Sequence, residues 1–177
     1  MLGDDWFTLA ELTQRIGGLV WVEERLAEVL HAWSAVESHA ATAVYLAAAG
    51  GHHRWHGEVM RGCLPTSSSL LEPDPIRAPT SGWATAIVTL GEFTDPDATH
   101  SRLRSLVRVV DPWLERETGA LAELARPISD APMMRWLRFV RIDHHDDADS
   151  AVQLLAATSE DMVRLDDHLA VSNIDLS

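Results

Sequence analysis

The chain has 177 residues, enough for a single domain, 1–177, whose core needs no covalent staple. Its formal net charge is −13 and its fourteen basic residues are all Arg, so a phosphate backbone and an anionic membrane are poor partners. Cys63 is the one cysteine, which excludes an internal disulfide and a Cys-rich zinc site.

The start, MLGDDWFTLAEL, is acidic and lacks the charged-then-apolar order of a signal peptide. No apolar run reaches the ~18 residues of a membrane span, and the expected location is the cytoplasm. Helical periodicity then runs through most of the chain, with strand alternation nearly absent. A first helix is expected over about 13–34, with Thr13 as its cap, and a second over about 38–64, stopped by Pro65. Residues 65–97 are proline-rich and read as a long irregular connection, within which GWATAIVTLGEF forms a short helix or an extended apolar segment. A third helix is expected over about 97–126, kinked at Pro112. A fourth covers about 130–157, with Asp130 as N-cap and Pro132 in its first turn. SEDMVRLDDHLAV reads as a short fifth helix capped by Ser159. Two helices, a long crossover and two more helices is one way to build a four-helix bundle.

The apolar stripes at three-four spacing decide which polar residues face the core. The first helix gives Ile16, Leu19, Glu23, Leu26, Leu30 and Trp33, apolar except for Glu23. The second gives Leu46, Ala49, His53, His56, Met60 and Cys63. The third gives Leu103, Leu106, Val110, Leu114, Glu117, Leu121 and Leu124. The fourth gives Met133, Leu137, Val140, His144, Asp147, Ala151 and Leu154. Each stripe is interrupted near its middle, and at ~1.5 Å per residue the six interruptions fall within about a turn of one level. Unpaired, six buried groups of this kind would exceed a stability of ~5–15 kcal/mol. They must pair with one another or with a metal. A slip in register would exchange Glu117 for Glu115, or Asp147 for Asp143.

This order of polar residues resembles the ferritin-like di-iron carboxylate superfamily, as a divergent, small, actinobacterial-type member. That family places Glu, Glu-x-x-His, a crossover, Glu and Glu-x-x-His along four helices. Here the order is Glu23, His53-x-x-His56, crossover, Glu117 and His144-x-x-Asp147, and WVEERL and HHRWHGE carry further likeness over about 13–157. The departures are His53 and His144 at the family's Glu positions and Asp147 at a His position. Three carboxylates and three imidazoles result, instead of four and two. Glu23, His53 and His56 alone make a two-His-one-carboxylate set suited to a single iron(II). Glu117, His144 and Asp147 are then a second metal site or a hydrogen-bonded cluster.

The resemblance implies an all-α, ferritin-like four-helix bundle with a long crossover and a short C-terminal helix. It implies metal ligands at Glu23, His53, His56, Glu117, His144 and Asp147, the last three also catalytic. The expected cofactor is iron, one or two ions, with manganese or no metal as alternatives. The expected activity is a non-haem metal-dependent oxidase or oxygenase reaction of dioxygen with a small organic metabolite, in a monomer or homodimer without nucleic-acid or membrane partners. Two other readings survive: a metal-free bundle using buried His, Asp and Glu for acid–base catalysis in biosynthesis, and a non-catalytic binding protein with a buried polar network. His52 and His145 lie beside the stripes. Asp143, Asp146 and Asp149 read as a solvated face, and Arg138 and Arg141 as surface residues able to neutralise carboxylates or bind an acidic substrate. Cys63 reads as a core residue. Gly50 and Gly51 are placed to loosen the second helix.

Overall fold

The structure is a computed structural model that describes residues 6–66, 74–126 and 128–172, with side chains described through 159. The described residues are helical with no strand: α1 (Leu9–Val36), α2 (Ala40–Arg61), α3 (Ser81–Gly91), α4 (Thr99–Ser105), a π-helical turn (Leu106–Val110), α5 (Asp111–Leu124) and α6 (Ala131–Ser172). None is long and apolar enough to cross a membrane. The expected crossover includes 67–73, which lie outside the described residues.

Helix α1 starts earlier than the Thr13 cap predicts. Thr8 is the cap: its Oγ1 accepts from the Glu11 N–H at 3.2 Å, while the Glu11 carboxylate accepts from the Thr8 N–H at 2.8 Å. Thr13 lies inside the helix and donates to the Leu9 carbonyl. The reading of a separate helix capped by Ser159 is corrected as well. Residues 131–172 form one helix, and the Ser159 hydroxyl donates back to the Leu155 carbonyl instead of starting a new turn. Beyond Pro132 in its first turn, no Gly or Pro occurs in that stretch.

Around one core, α1 packs on α2, α2 on α6, α6 on α4 and α5, and α5 on α1. The core face of α1 is Ile16, Leu19, Leu26, Leu30 and Trp33, each 2% exposed or less. Small residues bring α2 close to it. A Cβ on Gly50 would sit 2.9 Å from His31 Nδ1, and one on Gly57 would sit 3.0 Å from Glu24 Cγ. The short α3 lies against α1, where the Trp33 indole donates to the Leu90 carbonyl at 3.1 Å, and Trp83 meets Trp113 of α5 at a tilt, 4.6 Å between centroids.

Pro112 does not break the third long segment. It has no N–H to give the ladder, and the π turn just before it takes up the irregularity: the Asp111 N–H reaches back to the Leu106 carbonyl. Arg102 anchors the other end of that segment. Its guanidinium meets Glu37 at 2.7 Å and donates to the carbonyls of Phe93 and Asp95, with both charged side chains fully enclosed. Thr99 also donates to Glu37. Removing one partner of such a pair leaves a buried, uncompensated charge. Arg102→Met should therefore cost about 3–5 kcal/mol, read as a lowered urea midpoint, whereas the exposed Arg104→Met should change it by less than ~0.5 kcal/mol.

Candidate metal centre

Four of the polar residues on the stripes meet in the interior. Glu23 comes from α1, His53 and His56 from α2, and His144 from α6. Each offers one ligand atom, and the four atoms lie within 4.8 Å of one another. Glu23 and His56 have no solvent exposure, and His53 and His144 have 5% and 7%. His53 Nδ1 donates to Glu23 Oε2 at 2.5 Å, and His144 Nε2 donates to Glu23 Oε1 at 2.8 Å. His56 Nδ1 faces Glu23 Oε2 at 3.4 Å without forming a hydrogen bond.

Next to this group lies an outer layer of acids. His56 Nε2 donates to Asp143 at 3.2 Å, a contact that turns Nδ1 toward Glu23. Exposed His52 pairs with Asp147 at 2.9 Å. Sequence reasoning placed Asp143 on a solvated face, yet its side chain is one-third exposed and caps a buried ring.

Glu117 does not join the group. It meets Arg15 at 2.8 Å near the surface, beside Phe7 and Trp113. The reason lies in the choice between a three- and a four-residue step after Leu114. The core takes Thr118, which is fully buried and satisfies its hydroxyl on the Leu114 carbonyl at 2.7 Å. Asp147 stands one layer out from the four, against His52, so His144 pairs with Glu23 and not with Asp147.

The residue that sequence reasoning missed is Asp111. It lines a cavity of about 10 Å³ together with Tyr45, His53, His144 and Asp147, and its Oδ2 is buried without a hydrogen-bond partner. The available signal was an acid directly before a mid-helix proline, where the backbone departs from α geometry.

The electrostatics follow from this packing. Burial pushes Glu23 up, but the charges and hydrogen bonds of His144 and His53 outweigh it and hold the carboxyl well below its usual range. Burial disfavours protonated His56, and the adjacent carboxylates of Glu23 and Asp143 reverse that, raising it. For His144, burial wins over Glu23, with His53 and His56 adding repulsion, so it falls. Burial raises Asp111 to about 6; His53 opposes this and Asp147 adds to it. Burial also raises the Tyr45 phenol, helped by Asp111 and Asp147.

The donor set fits a metal ion. Two buried imidazole nitrogens, His56 Nδ1 and His144 Nδ1, lack hydrogen-bond partners, and imidazole with carboxylate suits iron, manganese or zinc. The four residues are thus a group that can hold a cation. Compared with protein-family models, curated proteins and solved structures, the chain matches none.

Because the folded state binds the Asp111 proton more tightly than the unfolded chain, this residue lowers stability as pH rises from about 4 through about 6. Asp111→Asn should raise the stability of metal-free protein at pH 7 by on the order of 1–3 kcal/mol. The gain should vanish at pH 3.5. Thermal melts at both pH values check this.

Proposed function

We propose that the protein is a ferritin-like, metal-dependent oxidoreductase whose buried ion is held by Glu23, His53, His56 and His144. The carrying observation is the imidazole of His56, fixed from behind by Asp143, whose other nitrogen faces Glu23 unpartnered. A histidine held in this way by a carboxylate is the usual arrangement behind a metal ligand. Iron is the first candidate and manganese the second, as one ion, or two if Asp111 and Asp147 hold a neighbour.

Iron in this position would supply redox chemistry with dioxygen. The chain's own contributions are distinct. Leu30, Leu106 and Leu114 enclose the space beside the site and exclude bulk water. Asp111, raised to about 6, can hold or release a proton near His53. A cavity of about 10 Å³ has room for one water-sized molecule, so an organic metabolite would need the helices around the site to part.

A metal-free acid–base reading draws on the same raised Asp111 and lowered His144, a carboxyl and an imidazole that line one small cavity. Metal content separates the two. Protein purified without a His tag from iron-supplemented cells should carry roughly one or two equivalents of iron or manganese, and persistent absence would discard the metal reading in favour of the other.

Ligand and supporting residues should differ in degree. His53→Ala and His56→Ala should abolish stoichiometric iron(II) or cobalt(II) binding, measured anaerobically by visible absorption or calorimetry. Asp143→Asn should weaken it by about 10–100-fold. Affinity should fall as pH drops, because His56 must give up its proton to bind.

A further inference from the structure

A second cavity, of about 510 Å³, lies between α5 and α6, a volume within the usual range for small-molecule sites. Its floor is apolar: Ala122, Met134, Leu137 and Ile142. Arg138 and Arg141 stand beside that floor, three residues apart on α6, a spacing that makes their side chains neighbours on one helix face.

The two arginines are not equally used. Arg141 gives one guanidinium nitrogen to Glu115 at 2.9 Å, which fixes the group in place, yet its Nε is buried with no acceptor. Arg138 has no ion-pair partner among the described residues. The remaining polar lining does not engage the exposed guanidinium of Arg138. Glu115 is engaged on Arg141, and His145 leans toward Asp149 at 3.7 Å. Asp146 lies eight residues beyond Arg138, about 12 Å along the helix.

We propose that this cavity binds an amphipathic organic carboxylate. The carboxylate accepts from Arg138 and from the part of the Arg141 guanidinium left free by Glu115, while the hydrocarbon portion covers Met134, Leu137, Ala122 and Ile142. Paired guanidinium donors over an apolar floor match that ligand class: charge-assisted bonds fix one end and burial of apolar surface holds the other. The long-range field of a chain with net charge −13 repels anions, so selectivity for an anion here would have to arise locally. The site is independent of the metal centre and is tested on metal-free protein.

Decanoate is the probe, titrated by calorimetry and by amide chemical shifts, with decanol and decylammonium as controls of the same chain length. Saturable one-to-one binding of decanoate below about 1 mM is expected, tighter than either control. Arg138→Gln and Arg141→Gln should each weaken it by roughly ten- to hundredfold, and Ala122→Trp should fill the cavity and block it. Because Arg138 is exposed and unpaired, Arg138→Gln keeps the test valid should Arg141→Gln fail to fold. No binding, equal binding of decylammonium or decanol, or undiminished binding to Arg138→Gln would overturn the proposal.

Discussion

A carboxylate sits where no water reaches, and the helices around it are arranged to answer it. Glu23 occupies the middle of the apolar face of α1 with no exposure. Unpaired, it would cost several kcal/mol, a large share of a domain's stability. Three imidazoles from α2 and α6 surround it instead. Sliding α2 or α6 by one turn would take His53, His56 or His144 away and leave the charge bare. The cluster thus acts as a registration device as well as a candidate site. Glycines 50 and 57 make the approach of α2 feasible by omitting the Cβ atoms that would press on α1.

The fourth side of the cluster is made differently. The π turn at Leu106–Val110 keeps Leu106, Val110 and Leu114 in the core while bringing Asp111 to the small cavity beside His53. A regular helix through Pro112 would have set the residues after 110 at another angle. An irregular turn here costs backbone regularity and yields an acid whose free oxygen faces two imidazoles and a second carboxylate. Such turns recur at functional sites for this reason.

The sequence was most readable where the helical period runs unbroken. The apolar stripes of α1 and α2 place Glu23, His53 and His56 correctly, because a helix of regular 3.6-residue period leaves little choice of face. His144 was legible for the same reason. Beyond Leu114 the period became ambiguous, since both Glu117 and Thr118 lie on permissible steps, and only tertiary packing chooses the residue that can satisfy its hydroxyl on its own helix. Asp111 was hidden because a period-based reading has no place for the extra residue in a π turn. The four-residue cluster and the all-helical architecture follow from these patterns. The ferritin-like resemblance rests on an order of six residues, of which Glu117 and Asp147 stay out of the cluster.

The enclosed pair of Glu37 and Arg102 has a consequence for how the chain reaches this state. Its partners are 65 residues apart, and Arg102 also holds the Phe93 and Asp95 carbonyls. α1 and α2 are adjacent in sequence and can dock early through a short turn. The Arg102 knot forms only after the whole crossover has closed on itself, a loop whose entropy must be met before its bonds form. Folding should therefore proceed in two unequal stages, a rapid local pairing and a slower closure. Until that closure the Glu37 carboxylate lacks the Arg102 guanidinium and the Thr99 hydroxyl that accompany its burial.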